Sequence, residues 1–300
     1  MTTRTIERVP RKLWFAAIKP PMYSVAVMPI WVGSAVAFAE TSHFNSSIFF
    51  TFLVSAILIL AWENLSNDVF DSETGVDVNK KNSLVNMTGN KSLIFWIGNL
   101  CLALGLVGIG SIALQQEDWT VIGLILLCCG IGYIYQGPPF RLSYKGLGEI
   151  LCFFAFGPLA FSAAYYSQTQ AWSSVSMAAS VVIGIATSLI LFCSHFNQAK
   201  EDAAIGKKSP IVRLGTRRSA DLLPWICSSI YALTTLFVIL GAFPIWTLLV
   251  FASVPIARRL CQFIRSQHDQ PHKLTFCRLI AVELHFWAGL LLGLGFVLPG

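Results

Sequence analysis

The sequence is poor in charged residues. Only 12% of its 300 residues are Asp, Glu, Lys or Arg, whereas 55% are hydrophobic. This composition excludes a disordered chain and an ordinary soluble enzyme, and it is typical of a membrane protein with several spanning helices. A soluble chain of this length would be expected to form two domains, but here we expect one helical bundle over residues 1–300.

Two further signals are absent. None of the eight cysteines forms a C-x-x-C pair and most lie in apolar stretches, so we interpret them as small buried side chains and not as zinc or redox ligands. No short apolar segment followed by an A-x-A-like site occurs near the N-terminus, so we expect no cleaved signal peptide. The lack of a transit peptide before the first apolar stretch favours a bacterial chain over a plastid precursor.

Apolar stretches long enough to cross a bilayer recur along the whole chain. They predict an all-α membrane protein built as a bundle of nine transmembrane helices. The predicted spans lie at residues 21–39, from 48 into the polar cluster described below, 93–114, 119–135, 150–166, 175–195, 222–241, 243–260 and 279–298.

The basic residues orient this bundle. All 21 Lys and Arg lie before the first span or in the loops after spans two, four, six and eight. Because positively charged loops stay in the cytoplasm, we expect the N-terminus and these loops to be cytoplasmic. The basic residues are dispersed over membrane loops with no soluble binding module, which argues against a nucleic-acid partner.

A polar cluster closes the second span. Asn64, Asp68 and Asp71 are spaced i, i+4 and i+7, which places them on one face of a helix, and Asp77 follows beyond Gly75. Charges next to hydrocarbon are costly and usually functional. Two carboxylates and an amide on one face suit Mg²⁺, which takes oxygen ligands and completes its shell with substrate phosphates.

A second polar cluster closes the sixth span. His195, Gln198 and Asp202 fall on one helical face, with Lys200 and Glu201 beside it. The two clusters could face each other across the bundle. The alternative is a helix C-terminus that a glycine ends, with the following lysines interacting with the helix dipole.

A Gly/Pro-rich loop at residues 135–149 supplies Arg141 and Lys145 as candidate phosphate ligands, unless they act only as topology determinants. Lys207 and Lys208 in the next basic loop are interpreted as topology determinants or contacts to anionic lipid. Acids for a metal, cations for phosphate and an apolar interior together suit a lipid diphosphate as substrate.

At this point the residues resemble the UbiA superfamily of intramembrane prenyltransferases. The pattern Asn64-x-x-Asn67-Asp68-x-x-Asp71 is similar to its first aspartate-rich motif, and the similarity extends over essentially the whole chain. Residues 67–77, 137–149 and 206–215 resemble the 1,4-dihydroxy-2-naphthoate branch. Residues 77–91 are most similar to its phytyl-transferring cyanobacterial and plastid members.

The resemblance implies transfer of a phytyl or other polyprenyl group from its diphosphate to 1,4-dihydroxy-2-naphthoate, or its 2-carboxy-naphthoquinone form, with loss of CO₂. It implies Mg²⁺ as cofactor and a multi-pass protein of a cyanobacterial cytoplasmic or thylakoid membrane, with its active site facing the cytoplasm. Homogentisate phytyltransferase and chlorophyll synthase are alternatives within the superfamily. A membrane transporter is the alternative from another class.

The resemblance also implies roles for individual residues. The catalytic carboxylates would be Asp68, Asp71 and Asp202. The metal ligands would be Asn64, Asp68, Asp71, Asp77, Gln198, Glu201 and Asp202. The diphosphate would contact Lys81, Arg141, Lys145 and Lys200, and the substrate pocket would include Lys19, Asn67, Tyr135 and His195. Gln198 stands where most of the superfamily has an aspartate, and His195 where other members often have Asn, so we expect the second metal site to be the weaker one.

Overall fold

In hydrocarbon a backbone must satisfy its own hydrogen bonds, so long apolar stretches fold as helices. The computed structural model describes residues 19–74 and 83–299, and helices occupy all nine predicted spans. The long helices are α1 (Pro20–Thr41), α2 (Ser46–Thr74), α3 (Lys91–Gln116), α4 (Thr120–Gln136), α5 (Gly148–Thr169), α6 (Ser174–Ala204), α7 (Thr216–Ile239), α8 (Ile245–Gln267) and α9 (Cys277–Val297). Four short helical turns, Leu84–Thr88, Leu142–Lys145, Pro210–Leu214 and Pro271–Phe276, lie in the polar loops of the described residues.

Within the described residues, eight of these helices are long and apolar enough to cross a bilayer, and α4 is shorter, with 17 residues. No β-strand occurs in that part of the chain. The predicted all-α membrane fold is therefore confirmed, and the chain is an integral membrane protein. The count of nine spans and the cytoplasmic N-terminus stay predictions.

Small residues let neighbouring helices approach closely, as is usual where lipid surrounds the bundle. At the contact of α2 with α3, a Cβ added to Gly105 would lie 2.9 Å from the carbonyl oxygen of Ser55. The largest buried cluster joins α1, α6 and α9, and includes Val32, Phe196 and Leu284. These contacts fix the helix ends from which the polar side chains project.

Helix α5 widens in its middle. Residues Ala155–Leu159 form a single π-helical turn around Gly157 and Pro158. Proline has no N–H to donate, so a local adjustment of this kind is expected where it interrupts a spanning helix. The turn carries Ala155 and Phe156 to the wall of the internal cavity.

Candidate active site

An internal cavity of about 200 Å³ lies where the ends of α1, α2, α4, α5, α6 and α9 converge. Its wall changes character along its depth. Polar side chains of α2 and α6 line one part, and apolar residues such as Val25, Leu60 and Ile190 line the other. A cavity that is polar at one end and apolar at the other can accept an amphipathic ligand.

The predicted face of α2 opens into this cavity. Asn64, Asn67, Asp68 and Asp71 all line it. The 3.6-residue period of a helix brings these four side chains to one face. The sequence prediction for this cluster thus agrees with the geometry, except for Asp77, which lies outside the described residues.

Asp68 is held from two sides. Its side chain is almost completely buried, with 1% relative exposure. Its Oδ2 accepts a 2.9 Å hydrogen bond from the backbone N–H of Leu84, and its Oδ1 lies 3.5 Å from the Nζ of Lys19. Lys19 immediately precedes α1 and lines the cavity. The ion pair offsets part of the cost of burying both charges.

Asp71 accepts hydrogen bonds from the end of α4 and from the loop that follows it. Its Oδ1 accepts hydrogen bonds from the side-chain amide of Gln136 and, at 3.4 Å, from the hydroxyl of Tyr144. That hydroxyl also lies 2.8 Å from the hydroxyl of Thr74. Burial raises the pKa of Tyr144 to about 12, so its hydroxyl keeps its proton at neutral pH and can donate to Asp71.

The polar side chains at the end of α6 fall into two groups, one inside the cavity and one outside it. His195 and Gln198 line the cavity, but Lys200 and Glu201 are exposed at the surface. Asp202 is fully buried, does not line the cavity, and lies 3.3 Å from the Nζ of Lys207. Asp202 thus pairs with a local cation and does not join Asp68 and Asp71 on the cavity wall.

The predicted diphosphate ligands also lie elsewhere. Arg141 is 3.3 Å from Glu73 and does not line the cavity, Lys145 and Lys200 are exposed, and Lys81 lies outside the described residues. Arg141 and Lys145 belong to the loop between α4 and α5, and Lys200 to the last turns of α6. The described cations that do line the cavity are Lys19, Lys207 and Arg278.

Lys207 was assigned from the sequence to topology or lipid contact, and Arg278 to topology alone. Gly206 has a φ of +76°, a conformation that suits glycine, and it ends α6 so that the chain turns back toward the cavity. The backbone N–H of Lys208 then donates a 2.8 Å hydrogen bond to the carbonyl of Tyr144, which ties the two polar loops together. A lysine directly after a helix-ending glycine, close in sequence to a buried aspartate, was the available signal.

His195 is buried against an acid of α5. Its Nδ1 lies 2.9 Å from Oε1 of Glu149, and its relative exposure is 2%. Tyr135 lines the same cavity from α4. The pairing with Glu149 could not be read from the sequence, because 46 residues separate the two partners.

A second, apolar cavity of about 60 Å³ extends the first between α1, α2, α4 and α5. The two share Leu60, Glu63, Gly132, Ala155 and Phe156 in their walls. Glu63 is thus a carboxyl group at the junction of the polar and apolar parts, one residue before the predicted motif. The sequence analysis assigned it no role.

The carboxylate and amide oxygens of the cavity wall are candidate ligands for a divalent cation. Among the residues that the structure describes, no three His, Cys, Asp or Glu side chains cluster closely enough to hold a metal by themselves. The α2 face offers two carboxylates with two amides, and Gln198 adds a third amide across the cavity. This set suits Mg²⁺, which is usually held by one or two carboxylates together with waters and substrate phosphates.

The chain is similar in sequence to two phytyltransferases. The chain is 52% identical over 286 residues to the 2-carboxy-1,4-naphthoquinone phytyltransferase of Synechocystis, covering 95% of this chain and 93% of that protein. It is 40% identical to the chloroplastic 2-carboxy-1,4-naphthoquinone phytyltransferase of Arabidopsis thaliana, covering 97% of this chain and 79% of that protein.

The fold has solved counterparts. A UbiA homolog from Archaeoglobus fulgidus bound to GPP and Mg²⁺ matches with a TM-score of 0.60 and 17% identity, covering 93% of this chain and 99% of that one. At this identity the similarity establishes the fold alone. The UbiA prenyltransferase family itself matches residues 26–294. The chain therefore belongs to the UbiA prenyltransferase family.

Proposed function

We propose that the chain transfers a phytyl group from phytyl diphosphate to 1,4-dihydroxy-2-naphthoate, the reduced form of 2-carboxy-1,4-naphthoquinone, and releases diphosphate and CO₂. It is an aromatic prenyltransferase of quinone biosynthesis, as its phytyltransferase relatives indicate. The reaction class is carried by one observation: a single cavity joins an acid-and-amide face, three cations and an apolar extension.

The cofactor in this proposal is Mg²⁺, held by Asn64, Asp68 and Asp71. The donor set of α2 supports this assignment, and UbiA homologs from Archaeoglobus fulgidus were solved with Mg²⁺ and a prenyl diphosphate. When bound, the cation would offset the negative charge of the diphosphate and so favour its departure. Asp77 belongs to this proposal from the sequence alone, and Gln198 is the ligand that α6 contributes.

The cations of the cavity wall bind the diphosphate. Lys207, in the loop after α6, and Arg278 of α9 line the same cavity as the carboxylates of α2, and Lys19 lies beside Asp68. Two unit charges 4 Å apart attract by about 4 kcal/mol at an effective dielectric constant near 20. These side chains lower the barrier where they stabilise the charge that develops on the departing diphosphate.

The apolar extension receives the phytyl chain. Its wall is formed by small and aliphatic side chains from four helices, among them Ala26, Ala56, Ile125 and Ala160. Enclosure of the reacting carbon excludes water, which would otherwise capture an allylic cation. Two aromatic rings line the first cavity, Tyr135 and, at the junction, Phe156, and each can stabilise such a cation by about 0.5–2 kcal/mol.

The acceptor supplies the nucleophile. The ring carbon that bears the carboxylate forms a bond to C1 of the phytyl group as the C1–O bond to diphosphate breaks. CO₂ then departs, and its bonding electrons restore the aromatic ring. The lipid bilayer delivers the donor, and the positive-inside distribution of Lys and Arg supports a cavity that faces the cytoplasm. The whole chain acts as one catalytic domain in this proposal.

The test is an acceptor comparison with purified protein in lipid nanodiscs. Radiolabelled phytyl diphosphate is supplied with 1,4-dihydroxy-2-naphthoate, homogentisate or chlorophyllide, each with Mg²⁺ or with EDTA. We expect Mg²⁺-dependent formation of the phytylated naphthoquinol and evolution of CO₂ with the first acceptor. Product with homogentisate or chlorophyllide alone would overturn the proposed acceptor. Uptake of label into vesicles without any product would indicate a transporter.

A further inference from the structure

The pair formed by His195 and Glu149 has the geometry of an oriented base. A carboxylate can only accept, so Nδ1 of His195 donates its hydrogen to Oε1 of Glu149 across 2.9 Å. The neutral ring then carries its lone pair on Nε2. His195 lines the cavity, and its Nε2 makes no hydrogen bond within residues 19–74 and 83–299. An imidazole fixed in this way can take a proton from a ligand in the cavity.

Glu149 is placed to support a positive charge on that ring. It lies in the first turn of α5, where the helix dipole stabilises a carboxylate. Its side chain is 16% exposed, and its Oε2 is buried with no hydrogen-bond partner among the residues that the structure describes. Its backbone carbonyl accepts a 2.9 Å hydrogen bond from Ser188 of α6, the helix that also carries His195. This hydrogen bond joins α5 to α6, the two helices that carry the pair.

We propose that His195, oriented by Glu149, is the general base that takes the proton of the acceptor hydroxyl next to the carboxylated ring carbon. His195 is then a catalytic residue and Glu149 a positioning residue. This inference rests on the proposed function. It adds the recognition of a hydroxylated aromatic acceptor, which neither the α2 motif nor the cations provide.

The proposed reaction balances in protons and electrons without another reagent. The hydroxyl proton moves from the acceptor oxygen to Nε2 of His195, and the imidazolium pairs with Glu149. The electron pair left on the oxygen forms a carbonyl as the adjacent ring carbon bonds to C1 of the phytyl group, and diphosphate leaves with the electrons of the C1–O bond. The resulting β-keto carboxylate loses CO₂. Its bonding electrons restore the ring and the naphtholate oxygen, which regains the proton from His195.

The experiment varies the acidity of the acceptor. His195→Asn keeps an amide that can bond to Glu149 but removes Nε2, and Glu149→Gln keeps the shape of the carboxyl group without its charge. Each variant is assayed in nanodiscs with phytyl diphosphate, Mg²⁺ and a series of ring-halogenated 1,4-dihydroxy-2-naphthoates of decreasing hydroxyl pKa. His43→Asn, in the exposed loop before α2, is the substitution control, and thermal melting reports folding.

With the unsubstituted acceptor we expect kcat of His195→Asn to fall roughly 10²–10⁴-fold, the usual contribution of a general base, with little change in KM for phytyl diphosphate. The deficit should shrink at least about tenfold with the most acidic acceptor, because that hydroxyl ionises without a base. Glu149→Gln should show a smaller deficit with the same trend. The double variant should be no slower than His195→Asn, since both act through one proton transfer.

Two results would overturn the inference. A deficit that is the same for every acceptor would reduce the pair to a structural contact, and a fully active His195→Asn would remove it from the reaction. If His195→Asn does not fold, the acidity trend in Glu149→Gln alone decides between the two. Failure of wild-type protein to prenylate any naphthoate would instead contradict the proposed function, so the two failures are distinguishable.

Discussion

The ends of α2 and α6 look alike in sequence and differ in structure. Each is a polar face on the last turns of a long apolar helix, with polar side chains three or four residues apart. At α2 the acids Asp68 and Asp71 open into the cavity. At α6 the acid Asp202 is buried away from the cavity, and the side chains that reach it are His195 and Gln198. Similar motifs have therefore produced different surfaces.

The difference lies in where the groups that stabilise these acids come from. The acids of α2 are compensated by groups from distant parts of the chain, namely Lys19 for Asp68 and Gln136 for Asp71. Those partners sit on the cavity wall beside the acids. The acid of α6 is compensated by Lys207, five residues further along, through a tight turn. Asp202 is thus buried beside its cation, whereas Asp68 and Asp71 line the cavity together with their partners.

The largest expected effect separates the two acids. Asp71→Asn keeps the hydrogen-bonding shape but removes a charge from the cation site. We expect kcat to fall roughly 10³-fold or more, since a bound metal contributes several kcal/mol. Asp202→Asn should lower the rate by about 10–100-fold, in the range of residues that position a site indirectly. Rates are measured against Mg²⁺ concentration for both variants.

Thermal melting should rank the same two variants in the opposite order. Removing one partner of a buried ion pair costs about 3–5 kcal/mol, so Asp202→Asn should melt well below wild type. Asp71 lies at a solvent-accessible cavity wall, and its substitution should change the melting temperature little. Equal losses of kcat in both variants would show two equivalent metal sites and would break the comparison.

The second prediction concerns Lys207, which pairs with Asp202 and also lines the cavity. Lys207→Gln should raise KM for phytyl diphosphate roughly tenfold, about 1.4 kcal/mol of binding free energy, and should leave kcat within a few fold. Lys208→Gln is the matched control, because the neighbouring side chain is exposed and does not line the cavity. KM is obtained from initial rates at saturating acceptor.

The partner of Lys207 provides a further control. Lys207→Gln leaves Asp202 buried without its cation, so a loss of stability accompanies the change. The double variant Asp202→Asn with Lys207→Gln should recover stability but not donor affinity. Recovery of both would indicate that Lys207 only compensates Asp202, and a change of the same size in Lys208→Gln would indicate general electrostatic attraction.

These contrasts show what the sequence could predict. Helix periodicity was sufficient for the face formed by Asn64, Asp68 and Asp71, because all three belong to one regular element. The apolar helices of the described residues followed from length and composition. The partners of these side chains did not, because Glu149 pairs with His195, and Lys19 with Asp68, through packing of distant segments. Side-chain direction after a turn, as at Lys207, depends on backbone angles that composition does not encode.

The smallest expected effect tests the exposed side of α6. Lys200→Gln and Glu201→Gln should each change kcat and KM less than about twofold, because exposed charges are screened and contribute little. The sequence predicts that Lys200 contacts the diphosphate and that Glu201 binds the metal. Unchanged rates would show that their position in the sequence motif does not bring them into the site. A loss approaching that of Asp71→Asn would mean that the end of α6 rotates onto the cavity when substrates bind. In that case the two helix ends would become equivalent in the complex, and the asymmetry would belong to the ligand-free protein alone.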